Sequence, residues 1–260
     1  MVAAMTRPSH RRGAPYLRGC RLLAERIPED AGYPFDLPCV ADLSLTFDSA
    51  VTFLVGENGS GKSTVLEGLA ELCGLPVGGG GAHDLADVQG YRSSGLADTL
   101  RPHWATKPRD TFFFRAETLY NFGALLDRRR EDPDFWGDPY RSYGGASLQE
   151  QSHGEGFLSV MANRLGSGLY LFDEPESALS PDRQLSFLAL LDDRVRHEGA
   201  QFIIATHSPL LLTYPEATIL SFDEGPPHAV GLQDTEHFRI TTMVLNHPEA
   251  FWRSLRRDEG

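Results

Sequence analysis

The stretch GENGSGKST, residues 56–64, limits what this chain can fold into more than any other part of it. It fits G-x-x-x-x-G-K-[ST] through Gly56, Gly61, Lys62 and Ser63. Glycine lets a backbone wrap closely around an anion with its N–H groups turned inward. The flanks agree. AVTFLVG (50–56) is a nearly continuous apolar, β-branched run, as in a strand buried on both faces of a sheet. STVLEGLAELCG (63–74) has helical spacing through Val65, Leu66, Leu69 and Leu72, with Gly74 as a stop. A helix beginning there turns its positive end toward the anion. The expected phosphate contacts are Gly56, Glu57, Asn58, Gly59, Ser60, Gly61, Lys62, Ser63 and Thr64. Lys62 would reach the β- and γ-phosphates, and the Ser63 hydroxyl would ligate Mg²⁺.

Further apolar runs alternate with helical ones. TFFFRAE (111–117), GLYLFDEPE (168–176) and AQFIIATHS (200–208) read as buried strands. GFLSVMANRL (156–165) and SPDRQLSFLALLDDRVRHEG (180–199) read as helices. The second opens on a Ser180 N-cap with Pro181 at its first position and stops at Gly199. LRGCRLLAERI (17–27) and LSLTF (43–47) suggest early strands, and LPVGGGGAHD (75–84) a flexible connection. Residues 218–225 and 228–234 suggest a closing hairpin, with two short helices to finish. The alternation predicts an α/β fold with a mainly parallel sheet and helices on both faces.

Two of these strands end in chemistry. Asp173 and Glu174 close the third apolar run, and acids at the carboxyl end of such a strand face the crevice where α/β sheets bind ligands. Asp173 can hold Mg²⁺, and Glu174 can orient and deprotonate an attacking water; a solvated acidic turn before Pro175 is the alternative. His207 follows the fourth strand and can hydrogen-bond a γ-phosphate; a histidine satisfied by backbone at the turn before Pro209 is the alternative.

Composition excludes several classes. The formal net charge of −12 disfavours non-specific nucleic-acid or membrane binding. The 3 cysteines include no C-x-x-C pair, so neither a disulfide framework nor a zinc site is expected. No apolar run is long enough to span a bilayer. The opening MVAAMTRPSHRRGAP lacks an apolar core and reads as a flexible tail over 1–15, and a cytoplasmic protein is the expectation. Arg128–Arg130 is flanked by acids and reads as a solvated helix face more readily than a basic contact patch.

Together these motifs resemble the ABC-type ATPase head, over most of residues 40–225. That class includes transporter nucleotide-binding domains, SMC-like and DNA-repair heads, and stand-alone AAA/ABC-like ATPases. The stand-alone group is the nearest, because it combines FFxRAE, QSHGE and LDEPE-ALSP motifs in this order. The resemblance implies a P-loop NTPase of ABC type over 16–260, with an N-terminal antiparallel β portion and a helical, variable subdomain at about 75–165. It also implies ATP and Mg²⁺ as cofactors, SALS (177–180) as the D-loop and His207 as the switch histidine, with Lys62 and Glu174 as its catalytic companions.

QSHGEGF (151–157) falls where that family carries a signature of the type L-S-G-G-Q. Ser152 fits the signature serine and Gly154 the second glycine, while His153 replaces a glycine and Glu155 the glutamine. In the family this motif caps the γ-phosphate bound by a neighbour, so the resemblance implies a nucleotide-sandwich homodimer formed on ATP binding. The Q-loop glutamine has no clear match; Glu117 is the nearest candidate. Tyr33 and Phe35 are the candidates for stacking on adenine, with core packing as the alternative for each. The interval from Lys62 to Ser152 has no sustained heptads and is too short for a long coiled-coil insertion.

The expected function is a soluble ATPase that hydrolyses ATP to ADP and phosphate, coupled to a protein or nucleic-acid partner. The alternatives are a transporter subunit docking on a separate membrane protein, which the unusual Q-loop region disfavours, and a non-hydrolysing nucleotide sensor.

Overall fold

The structure is a computed structural model that describes residues 15–82, 93–141, 143–145, 147 and 153–256. The expected tail lies outside these residues except for Pro15, and Ser152 lies outside them too.

The chain opens with β1 (Leu17–Leu22), α1 (Pro38–Ala41), β2 (Ser44–Thr46), β3 (Val51–Val55) and α2 (Lys62–Leu72). Next come β4 (Gly80–Gly81), α3 (Leu96–Thr99), β5 (Leu100–Trp104), β6 (Thr111–Arg115), α4 (Leu119–Glu131) and α5 (His153–Arg164). The rest is β7 (Leu169–Asp173), α6 (Pro181–Asp193), β8 (Gln201–Ala205), β9 (Thr218–Ser221), β10 (His228–Val230), α7 (Glu236–Asn246) and α8 (Pro248–Leu255).

The main sheet has the order β10-β9-β3-β8-β7-β6-β4, and a small sheet has the order β2-β1-β5. In the main sheet β9, β3, β8, β7 and β6 run parallel, and the outer pairs β9–β10 and β6–β4 are antiparallel. The small sheet is antiparallel throughout. Strand β9 therefore belongs to two arrangements: it closes the expected hairpin with β10 and extends the parallel sheet beside β3.

Alternation along the buried strands divides the interior into two layers. Phe53 of β3, Phe114 of β6, Tyr170 and Phe172 of β7, and Phe202 of β8 point to one side. There they meet Phe122 and Leu126 of α4, Phe157 and Met161 of α5, and Phe187 and Leu191 of α6. The intervening residues Leu54, Phe113, Leu171 and Ile203 point to the other side. There they meet Val65, Leu66 and Leu69 of α2, together with Leu17, Cys20, Leu45 and Leu100 of the small sheet. Both faces of the central strands are thus apolar, which is why their sequences read as unbroken hydrophobic runs. Gln201, fully buried at the start of β8, ties the sheets together: its amide accepts from the Leu17 N–H at 2.9 Å and donates to the Leu17 carbonyl at 2.8 Å.

Several local expectations are revised. Within the expected flexible connection, Gly80–Gly81 pairs with Phe113 and Phe112 as an edge strand. Gly79 (φ +92°) leads in, at a point where a Cβ would stand 3.3 Å from the Phe113 carbonyl oxygen. Strand β5 carries Pro102 in mid-run and has no alternation to mark it; it is tolerated at the sheet edge, where an N–H is dispensable. Ser180 stands at the N-cap of α6, but its side chain makes no capping hydrogen bond. The last turn of the 180–199 helix is a π-turn over Arg194–Glu198, ended by Gly199 at φ +66°. The span 75–165, expected as a helical subdomain, also supplies β4 and β6 to the main sheet and β5 to the small one.

The two final helices bury no residue fully and leave Ile240, Met243, Leu245, Trp252 and Leu255 exposed. No helix among the described residues is long and apolar enough to cross a membrane.

Candidate nucleotide-binding site

Strands β3, β7 and β8 are neighbours, and the parallel register brings their carboxyl ends to one edge of the sheet. The GENGSGKST loop leaves β3 at Gly56 and enters α2 at Lys62. Gly56 (φ +148°), Gly59 (φ +83°) and Gly61 (φ +96°) all have positive φ, so the loop's curl depends on them. Lys62 is 4% exposed, and its Nζ donates to the carbonyls of Gly56 at 2.7 Å and Glu57 at 2.8 Å. Its ammonium therefore sits at the centre of the loop. Burial pulls its pKa down, and the carboxylates of Glu174, Asp223 and Asp173 oppose that. From the far side, Asp223 braces the loop by accepting the Glu57 N–H at 2.6 Å.

Gly61 has a second constraint, since a Cβ there would lie 2.4 Å from Cys39 Sγ. Gly61→Ala combines that clash with a left-handed backbone. It is expected to cost about 1–3 kcal/mol of stability in urea denaturation; an unchanged midpoint would show that the loop is not held in this shape.

Asp173 ends β7 at 5% exposure. Its Oδ1 accepts from Ser63 Oγ at 3.0 Å, and its Oδ2 lies 3.3 Å from Arg115 Nη2. Burial pushes its pKa up to about 6, with Arg115 and Ser63 pulling the other way, so the carboxylate is mostly ionised at neutral pH. The same guanidinium pairs with Glu67 of α2. Arg115 is the arginine of the FFxRAE motif, which assigned it no role, and Glu67 belongs to none of the motifs. A signal existed for Arg115: it is the charged end of an apolar strand, and the β6–β7 register sets it opposite Asp173. Glu117, the Q-loop candidate, is exposed in the turn that follows, and Arg115 takes the place beside Asp173.

Glu174 follows in the left-handed region, at φ 47° and ψ 54°. That conformation is costly for a non-glycine residue. Its N–H is tied to the Ala205 carbonyl at 2.9 Å, and its side chain is 41% exposed. His207 lies just past β8, with its N–H donating to Glu176 Oε1 at 2.5 Å. His207 Nε2 is 3.5 Å from Glu174 Oε1, in ion-pair range but beyond a good hydrogen bond, and is buried without a hydrogen-bond partner. Its Nδ1 lies 2.8 Å from His237 Nε2. Burial first, and then Lys62 and His237, hold the His207 pKa below its ordinary value, which favours the neutral ring.

The sheet edge thus gathers Lys62, Ser63, Asp173, Glu174 and His207. Chemically, it offers a cation held by the loop's carbonyls, a hydroxyl–carboxylate pair of hard oxygen donors suited to Mg²⁺, and a half-exposed carboxylate beside an imidazole. Glu176, the last residue of the DEPE stretch, joins the site with no role assigned from the sequence, and His237 joins it from outside every motif.

Other expected residues are placed differently. Tyr33 is 64% exposed, and its hydroxyl lies 2.8 Å from Thr64 Oγ1; Phe35 packs against the α2-side core. Gly154 lies in the first turn of α5, where a Cβ would stand 2.4 Å from Arg183 Nη1 and 3.1 Å from the Ala178 carbonyl oxygen. The room made by that glycine is therefore used inside this chain, against the segment that follows Glu174.

A glycine-rich loop between a buried parallel strand and a helix, with acids closing a neighbouring strand, defines a P-loop nucleotide-binding fold of the AAA/ABC type. Residues 156–213 match the family described as "AAA domain, putative AbiEii toxin, Type IV TA system". The chain is 28% identical over 232 residues to the "Putative ABC transporter ATP-binding protein GSU3001" of Geobacter sulfurreducens, covering 80% of this chain and 79% of that protein. It is 22% identical over 182 residues to the translation initiation factor RLI1 of Chaetomium thermophilum, covering 69% of this chain but only 28% of that much longer protein. Among solved structures, MJ1267, an ATP-binding cassette of an ABC transporter, superposes with a TM-score of 0.51 at 17% identity, over 86% of this chain and 98% of that one. The fold is that of the ABC-type ATPase cassettes, and the chain is ABC-type ATPase-like.

Proposed function

We propose that this protein binds ATP with Mg²⁺ and hydrolyses it to ADP and phosphate in a nucleotide-sandwich homodimer. The observation that carries the reading is the convergence of Lys62, the Ser63–Asp173 pair, Glu174 and His207 on one edge of the parallel sheet.

The phosphate loop and the amino end of α2 hold the β- and γ-phosphates, with Lys62 turning from the loop carbonyls to phosphate oxygen. Ser63 and Asp173 hold Mg²⁺, which when bound neutralises charge on the phosphates. Glu174, exposed at the crevice, orients a water and takes its proton. His207 donates from Nε2 to the γ-phosphate in this reading, which the lack of any other hydrogen-bond partner on that nitrogen supports. Tyr33 stacks on the adenine ring in this reading, supported by its exposure and its hydrogen bond to Thr64 beside the phosphate loop.

Ser152 and the amino end of α5 complete the partner's site in this reading. The dimer cycle acts on a protein or nucleic-acid partner. The similarity to an ABC transporter ATP-binding protein keeps a transporter subunit as the second reading.

Phosphate release measured with ATP and Mg²⁺ tests the activity; release at background would leave only a nucleotide sensor. Ser152→Arg tests the dimer. It is expected to spare ATP binding by the monomer while reducing turnover at least tenfold, since a bulky cation replaces a hydroxyl donor at the composite site. Unchanged turnover would remove residues 151–157 from the site.

A further inference from the structure

We propose that His237, at the start of helix α7, is a positioning residue that fixes His207 in the tautomer carrying its proton on Nε2. The catalytic consequence rests on the ATPase reading above; the tautomer itself does not.

The two imidazoles meet edge to face, with centroids 4.8 Å apart, and the 2.8 Å contact joins His237 Nε2 to His207 Nδ1. One of these nitrogens must donate and the other accept. The groups around His207 decide which. Glu174 Oε1 stands 3.5 Å from Nε2, and an anion there favours an N–H pointing toward it. Glu176 engages only the backbone N–H of His207 through Oε1. Burial and the charge of Lys62 both disfavour a doubly protonated ring. A neutral ring has a single N–H. With that proton on Nε2, Nδ1 accepts and His237 Nε2–H is the donor.

The partner on one ring nitrogen thus sets what the other nitrogen can do. With this tautomer His207 presents a donor, which a γ-phosphate oxygen can accept. With the opposite one it presents a lone pair, which repels that oxygen. The contact of His237 is with the His207 ring, and it acts through that ring.

The placement of His237 adds to the argument. Helix α7 buries none of its residues fully, yet it begins immediately after Thr235, which is 4% exposed. His237 is the second residue of the helix, so its ring is anchored where α7 meets the body of the protein. The pair is separated by 30 residues in sequence and carries no joint motif.

The test compares His237→Ala and His237→Gln with the unsubstituted protein. Glutamine keeps an N–H donor close to the position of the histidine Nε2; alanine keeps none. With ATP and Mg²⁺, His237→Ala is expected to lower kcat by about tenfold with KM changed less than threefold, and His237→Gln to restore kcat to within about threefold. A variant that only loosened α7 would not be rescued by glutamine.

The second arm needs no hydrolysis. Long-range ¹H–¹⁵N correlation of the imidazoles, with His207 assigned by its loss in His207→Gln, should show Nε2–H in the wild type and in His237→Gln. A tautomer mixture is expected in His237→Ala. An Nδ1–H ring in the wild type, or kcat in His237→Ala equal to wild type, overturns the inference. If the wild type releases no phosphate while showing Nε2–H, the ATPase reading fails and the positioning of His207 by His237 stands.

Discussion

Glu174→Gln is expected to bind ATP as well as the wild type, to release phosphate about 10²–10⁴-fold more slowly, and to accumulate as a dimer by light scattering with ATP and Mg²⁺. The carboxamide preserves the length of the side chain, and the left-handed turn at φ 47° is held by the N–H bond to Ala205 rather than by the carboxylate. The folded state should therefore survive. What is lost is the group able to take a proton from water at the crevice. In the proposed complex the substitution would also remove a negative charge from beside the triphosphate, which would favour the closed dimer. Asp173, its neighbour, keeps its Ser63 and Arg115 partners, so the loss should appear in turnover and not in nucleotide affinity. A Glu174→Gln protein that stays monomeric with ATP and Mg²⁺ would sink the sandwich reading. One that turns over normally would sink the assignment of Glu174 as base.

Phe172→Ala is expected to destabilise the fold by about 3–5 kcal/mol in urea denaturation. Phe172 is 1% exposed, and its ring meets those of Phe114, Phe157, Phe187 and Phe202. Those four rings come from β6, α5, α6 and β8. Close-packed layers of this kind collapse poorly around a missing ring, so the loss is transfer free energy plus a cavity. The position also matters for the site, because Phe172 immediately precedes Asp173 in β7. A measured loss below about 1 kcal/mol would mean that the helices on this face can close over the gap, contrary to the packing described.

Much of this arrangement could be read from the chain. The four buried strands of the parallel sheet announce themselves because both of their faces are apolar, and α2 because its leucines keep helical spacing. Lys62, Ser63, Asp173, Glu174 and His207 stand out because each ends or follows such a run. Strand β5 could not be read, because an edge strand with Pro102 needs neither alternation nor every N–H. The β4–β6 pairing was hidden in a run of glycines that carries no side-chain pattern at all. Gly154 has a neighbourhood that the sequence could not show: a Cβ there would meet Arg183 and the Ala178 carbonyl oxygen.

The groups that tune the site were the least legible. Arg115 and Glu67 reach Asp173 from a neighbouring strand and from α2, and their pairing depends on β6 lying parallel to β7 in one register. Glu176 holds the backbone of His207 across a separation of 31 residues, and His237 reaches its ring from a helix beyond the sheet. By itself, then, the sequence determined the phosphate loop, the acidic strand end and the layered α/β plan, because these follow from local spacing and from hydrophobic runs that depend on burial. Only the tertiary structure decided the electrostatics of the site: which cation offsets Asp173, which carboxylate faces the His207 ring and which nitrogen faces its Nδ1. Those contacts act over a few ångströms between residues distant in the chain, and they exist only once strand order and register have brought their elements together.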